Sequence, residues 1–340
     1  MKVGIVNDMA MAREALRRVV ASMPEHQIAW MANDGVEAVE LARKNRPDLI
    51  LMDLIMPRMG GAEATRRIMA ESPCPILIVT STVGGNINKV FEAMGHGALD
   101  VVNTPTLGPR GEVEGASHLI DKIAMVAKLI GQPANRERSS AAETGKAAVP
   151  LGAPLLLLGA STGGPHALSE VLTALPRNCD SCVIMVQHVD AAFSPSLAQW
   201  LEERSRHKVE LIKEGDRPGP GRWLLAATND HLVMSAGHRL TYTAEPRDLC
   251  YRPSVDICFS SVAVHWSEPG IAVLLTGMGR DGAEGLLNLR RQNWHTIAQD
   301  EASSVVWGMP RAAKEIGAAV EVLPLSKIAP AISRKIGNRI

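Results

Sequence analysis

Leu155-Leu156-Leu157-Leu158-Gly159-Ala160-Ser161-Thr162-Gly163-Gly164-Pro165 passes from a run of leucines into a glycine-rich turn. Consecutive apolar residues without alternation read as a strand buried on both faces, as in a parallel sheet. The glycines allow a sharp turn, and the proline behind them suits the first turn of a helix. Ser161 therefore stands between a strand and a helix N-terminus, beside backbone N–H groups that lack intrahelical acceptors. Gly159 to Gly163 fit G-x-S-x-G, the pattern of a nucleophile elbow. Two other uses remain open for such a turn: a phosphate or dinucleotide cradle, with Ser161 a bystander, or a plain serine N-cap.

Working outward, the region after Leu155 is a series of short apolar runs at Val183–Val186, Val209–Leu211 and Trp223–Ala226. It resumes at Val233, near Leu240, at Ile271–Leu275, Thr296–Ala298 and Val320–Leu323. Upstream lies a second series: Val3–Val6, Ile28–Met31, Leu49–Met52, Ile76–Val79 and Leu99–Val102. These alternate with helical segments Met11–Ser22, Val36–Arg46, Ala62–Ala70, Asn86–Gly95 and Ser117–Ile130. Strand–helix alternation predicts doubly wound parallel sheets. The expected organisation is an α/β chain with a five-stranded, flavodoxin-like N-terminal domain over 1–125. A linker follows over 126–150, where large apolar residues nearly vanish from Gly131 on. A Rossmann-like doubly wound domain fills 151–340.

The 340 residues are enough for two cores. Lys plus Arg and Asp plus Glu each number 36. That balance gives no general affinity for nucleic acid or an anionic membrane. No apolar run approaches the roughly 18 residues of a membrane span, and acidic residues come early, so a cytoplasmic protein is expected. Cys179 and Cys182 form one C-x-x-C without a second pair or a histidine cluster, too few ligands for a zinc site.

In the first half, Asp8 follows the first strand, Asp53 the third, and Thr80 ends the fourth. Strand ends of this kind converge on one crevice, where two carboxylates suit Mg2+ and a neutralised aspartate can attack a phosphoryl group. Solubilising loop acids are the alternative. In the second half, His188 follows Val183–Val186 and Asp281 follows Ile271–Leu275, so both share a sheet edge with Ser161. A serine needs such a base, and the base an orienting carboxylate. A satisfied histidine and an N-capping aspartate are the bland alternatives. The order Ser161, Asp281, His295 would match α/β-hydrolases, but His295 precedes its strand and belongs to the opposite edge.

Asn7-Asp8, Leu51-Met52-Asp53-Leu54-Ile55-Met56-Pro57, Val79-Thr80 and Asp100-Val101-Val102 resemble the receiver domain of bacterial response regulators. The resemblance implies Asp53 as phosphoacceptor and Asp8, Asp53 and the Ile55 carbonyl as Mg2+ ligands. Three positions depart from it: Asn7 replaces one of two acids, Thr104 a lysine, and Val101 an aromatic residue. Gly159–Pro165, Gln187-His188, Leu275–Gly282, Tyr251–Asp256 and Gln299–Pro310 resemble the chemotaxis protein-glutamate methylesterase family. That resemblance implies hydrolysis of glutamate γ-methyl esters on methyl-accepting receptors, with glutamine deamidation, after phosphorylation by a sensor histidine kinase relieves occlusion by the receiver. It implies Ser161 as nucleophile, His188 as base and Asp281 as orienting acid. Thr162 would buttress the histidine and the Met278 N–H would bind the oxyanion. The ester step needs no cofactor; Mg2+ serves the receiver alone. Val189-Asp190-Ala191-Ala192 and Ala227-Thr228-Asn229-Asp230 depart from the common pattern. Val6-Asn7-Asp8-Met9 and Thr228-Asn229-Asp230-His231-Leu232 resemble methylesterases of Wsp-type surface-sensing pathways. The competing expectation is a non-catalytic regulator that binds a ligand or partner at the glycine turn.

Overall fold

The computed structural model describes residues 1–81, 87–131, 154–177, 179–249 and 251–337. Of the linker expected over 126–150, residues 126–131 are helical and the rest lies outside the described residues, as does Cys250. The chain divides into two compact units, Met1–Asn135 and Arg136–Ile340.

The first unit carries β1 (Lys2–Val6), α1 (Ala10–Ala21), β2 (Gln27–Ala32), α2 (Gly35–Lys44), β3 (Leu49–Met52) and α3 (Gly61–Glu71). It continues with β4 (Ile76–Thr80), α4 (Ile87–Gly95), β5 (Asp100–Asn103), β6 (Thr106–Leu107), β7 (Val113–Glu114) and α5 (Ser117–Gly131). The main sheet is parallel in the order β2-β1-β3-β4-β5. β3 and β4 are buried at every position, which is why their sequences are unbroken apolar runs. Strand order reverses between β1 and β3, so their carboxyl ends open a crevice, with Asn7, Asp8 and Asp53 around it. The antiparallel pair β6 and β7 adds to the expected elements; strands of two residues carry no periodic signal.

The second unit comprises β8 (Leu156–Ala160), α6 (Gly164–Ala174), β9 (Val183–Gln187), a short 3-10 turn, α7 (Ser194–Ser205), β10 (Val209–Leu211), β11 (Trp223–Leu225), β12 (His231–Ser235) and β13 (Arg239–Thr243). Then come α8 (Val255–His265), β14 (Ile271–Leu274), α9 (Ala283–Arg291), β15 (His295–Gln299), α10 (Met309–Glu315), β16 (Glu321–Leu323) and α11 (Leu325–Gly337). Seven parallel strands form one sheet in the order β10-β11-β9-β8-β14-β15-β16. The order turns around at β8, whose neighbours are β9 and β14. The stretches around Val233 and Leu240 do not join this sheet. They form a separate antiparallel ribbon, β12 and β13, which packs on α8.

The core beneath the sheet includes Leu155 just before β8, Leu157, Ile184 and Leu274 from strands, Phe259 and Val262 from α8, and Leu286 and Leu289 from α9. Each large side chain so buried contributes about 1.5–3 kcal/mol. This packing holds the carboxyl ends of β8, β9 and β14 side by side.

Candidate active site

Register places the second unit's site. Ala160 of β8 pairs with Gln187 of β9, so Ser161 and His188 emerge next to each other. The His188 N–H donates to the Ala160 carbonyl (3.1 Å), and the Ser161 N–H to the Thr276 carbonyl (3.0 Å). Gln187, fully buried, donates its Nε2 to the carbonyls of Ser161 (2.9 Å) and His188 (3.0 Å), locking the two backbones together. Gly163 takes φ +77 and leads into α6. At Gly277 a Cβ would lie 2.7 Å from the Ser161 Cβ and 2.2 Å from the Met309 sulfur, so only glycine lets this loop approach the serine.

His188 and Asp281 meet directly: Nε2 lies 2.7 Å from Oδ2, with side chains 7% and 9% exposed. An ionised carboxylate only accepts, so Nε2 carries the proton and Nδ1 is left with its lone pair. Nδ1 is buried with no partner among the described residues. Ser161, 3% exposed, makes no hydrogen bond to it in this structure. Looser nucleophile–base geometry is common before substrate arrives.

Asp281 lies at the N-terminus of α8. Oδ1 accepts from Ser254 Oγ (2.6 Å) and the Asp256 N–H (3.2 Å), and Oδ2 from the Val255 N–H (2.6 Å). Burial pushes its pKa up, but hydrogen bonds from His188, Ser254 and Val255 prevail and hold it below the ordinary carboxylate range. Asp256 moves the other way, raised by burial and by the charge on Asp281. The negative charge therefore resides on the carboxylate that faces His188.

Met278 leaves its N–H without an acceptor among the described residues, as do Thr162 and Gly163 at the start of α6. Free donors on two sides of Ser161 suit an oxyanion. Thr162 differs from expectation: its hydroxyl makes no hydrogen bond to His188, and its carbonyl instead accepts from Thr276 Oγ1 (2.9 Å). The ring of Tyr251 stacks on the His188 imidazole at 4.2 Å between centroids, and its hydroxyl donates to the Met278 carbonyl (2.9 Å). Sequence reasoning gives Tyr251 and Ser254 no role, because they arrive from a loop that carries no periodic pattern. His295 begins β15 at the opposite edge and pairs with Glu321 (2.7 Å), away from Ser161. Cys179 and Cys182 are free thiols, and burial pushes Cys182 up to about 11.

In the first unit, Asp53 follows β3 and is 8% exposed. Its Oδ1 accepts from the Leu54 N–H (2.6 Å) and its Oδ2 from Asn7 Nδ2 (2.9 Å). Burial raises its pKa to about 6, against the hydrogen bonds from Leu54 and Ile55, and nearby Asp8 adds to the rise. A crevice that disfavours a bare carboxylate in this way would welcome a cation. Two carboxylates and a carbonyl fit Mg2+, which keeps several waters. Asn7 takes the place of a further acid by hydrogen-bonding Asp53 instead of repelling it. Thr104 Oγ1 is buried without a partner among the described residues. Lys122 does not substitute for the absent lysine, because it pairs with Asp100 (2.5 Å) at the amino end of β5.

Comparison with known proteins agrees with this geometry. Residues 156–332 match the family model described as CheB methylesterase, and residues 3–108 that of the response regulator receiver domain. A protein-glutamate methylesterase/protein-glutamine glutaminase of Burkholderia orbicola is 52% identical over 330 residues, covering 97% of each chain. One of Pseudomonas aeruginosa is 50% identical over 335 residues, 98% of this chain and 99% of its own. The crystal structure of the Thermotoga maritima CheB methylesterase catalytic domain superposes with a TM-score of 0.51 at 32% identity, covering 54% of this chain and 99% of that one.

Proposed function

The chain belongs to the CheB methylesterase family, and from that premise we propose that it hydrolyses glutamate γ-methyl esters, and deamidates glutamines, on methyl-accepting receptor proteins. The observation that carries this is the His188–Asp281 pair set beside Ser161 at adjoining strand ends, with unpaired backbone donors around the serine.

Ser161 Oγ attacks the ester carbonyl carbon and its proton passes to His188 Nδ1. The resulting imidazolium is stabilised through its Nε2–H by the Asp281 carboxylate. Negative charge on the former carbonyl oxygen falls to the N–H groups of Met278 and of the Thr162–Gly163 turn. Collapse of the tetrahedral intermediate breaks the C–O bond, and His188 returns the proton so that methanol leaves. Water then attacks the acyl-enzyme, with His188 as base, giving glutamate and free Ser161. For glutamine the leaving group is ammonia.

Asp53 is the phosphoacceptor, and a sensor histidine kinase the donor. Asp8, Asp53 and the Ile55 carbonyl would hold Mg2+, which would offset charge at the phosphoryl group. Phosphorylation opens access to Ser161 by shifting a closed population to an open one, bounded by the interaction energy that it changes. The loops 189–192 and 227–230, which depart from the common pattern, are joined: Asn229 accepts from the Ala191 N–H (2.8 Å) and donates to Asp190 (3.3 Å). Their joint change supports a receptor different from that of flagellar chemotaxis, as in surface sensing. A non-catalytic binding role leaves the buried, oriented His188 without purpose.

The test is methanol release from methyl-labelled receptor membranes by wild type and Ser161→Ala. Release by wild type and none above background by the variant is expected; equal release would refute the esterase.

A further inference from the structure

The segment Tyr251–Asp256 touches Asp281, His188 and the Met278 loop. Ser254, Val255 and Asp256 hold Asp281, while Tyr251 contacts both the base and the oxyanion loop. The Tyr251 and His188 rings are nearly parallel, 11° apart with centroids at 4.2 Å. The phenol hydroxyl donates to the carbonyl of Met278, whose N–H is an oxyanion donor of the proposed mechanism. The loop lies close against the phenol: at Gly279, where φ is +87, a Cβ would come within 2.8 Å of Tyr251 Oη.

We propose that Tyr251 is a positioning residue of the esterase, its ring holding the imidazolium form of His188 and its hydroxyl holding the Met278 loop in oxyanion-binding shape. The inference rests on the esterase function above. Two physical effects support it. A ring face covering the imidazole prevents His188 from swinging out of its Asp281 bond. The same face is electron-rich, so it favours the charged ring that forms when Ser161 gives up its proton. Of the other titratable groups nearby, Asp256 and Cys258 of α8 both feel the charge on Asp281, and Arg280 precedes Asp281 in sequence.

Two variants separate the two effects. Tyr251→Phe keeps the stack and loses the bond to Met278; Tyr251→Leu loses both. Full-length proteins are assayed on methylated receptor membranes across pH. His188 is titrated separately, without substrate, by NMR of ring-labelled histidine, assigned through His188→Gln. For Tyr251→Phe the expected result is a fall in kcat of about three- to tenfold with the acid limb in place, a fraction of the loss from deleting an oxyanion donor. Tyr251→Leu is expected to fall further. Its acid limb and NMR midpoint should both move to lower pH by about half a unit, because the charged ring loses its aromatic partner. KM stays constant in both, since Tyr251 contacts protein groups. The same NMR midpoint in all three proteins, or a raised KM with kcat intact, would overturn the inference. If wild type released no methanol the esterase function itself would fall, and the NMR midpoints would still judge the stack.

Discussion

Replacing Asp281 by asparagine removes one buried charge and leaves the shape, and the surrounding hydrogen bonds dictate how the amide must sit. Oδ2 accepts two short bonds from fixed donors, His188 Nε2 at 2.7 Å and the Val255 N–H at 2.6 Å. Oδ1 accepts from the Asp256 N–H at 3.2 Å and from Ser254 Oγ at 2.6 Å. The Ser254 hydroxyl can rotate and accept instead. The amide oxygen therefore takes the Oδ2 place and its NH2 the Oδ1 place. His188 keeps its proton on Nε2, and Nδ1 stays available as base. What is lost is the carboxylate's stabilisation of the imidazolium. A charged hydrogen bond in a buried setting is worth about 2–4 kcal/mol, hence a fall in kcat between about thirtyfold and about a thousandfold. The assay is methanol release at saturating methylated receptor, with KM measured alongside and expected to hold. A loss below about threefold would show that the charge is not used. A loss of about ten-thousandfold, the size seen where asparagine enforces the wrong histidine tautomer in serine proteases, would refute the assigned amide orientation.

Gly277→Ala places a methyl group 2.7 Å from the Ser161 Cβ and 2.2 Å from the Met309 sulfur. Activity should fall at least tenfold, with about 1–3 kcal/mol of destabilisation in urea melts; unchanged activity would mean the loop can yield. Asp53, with its pKa raised to about 6, is mostly protonated at pH 5 and mostly ionised at pH 7. Labelling by acetyl phosphate at low Mg2+ should therefore fall roughly tenfold from pH 7 to 5, and added Mg2+ should move the decline to lower pH. The same shift means that the folded state binds this proton more tightly than the unfolded chain. It thus costs stability as pH rises from about 4 to 6, and Asp53→Asn should be more stable at pH 7 by at most about 3 kcal/mol. Thr104→Lys puts a cation where a buried hydroxyl has no partner among the described residues. An ammonium that reaches the phosphoryl group from there should raise the activation of the esterase by acetyl phosphate, and an unchanged ratio would show that this position is uncoupled.

Parallel strands buried on both faces read as continuous apolar runs, so β3, β4, β8, β9 and β14 are legible in the sequence, and with them the edge where Ser161, His188 and Asp281 gather. The ribbon β12–β13 is not, because Val233 and Leu240 carry the same apolar signal whether they join the main sheet or pack separately on α8. The family resemblance implies Thr162 as the brace of His188. Its carbonyl instead meets Thr276, an interaction set by how β8 and β14 lie together. Tyr251 and Ser254 reach the site only because the N-terminus of α8 docks under Asp281. That relation is tertiary, and no local spacing encodes it.

The most direct measurement is capture of the acyl-enzyme. Full-length protein is mixed with a receptor peptide carrying a glutamate γ-methyl ester, quenched in acid within the first turnovers, digested and studied by mass spectrometry. The expected result is an ester between the peptide glutamate and Ser161, absent in Ser161→Ala, which releases no methanol. Methanol release without an adduct in Ser161→Ala, or an adduct on another residue in wild type, would contradict Ser161 as the nucleophile.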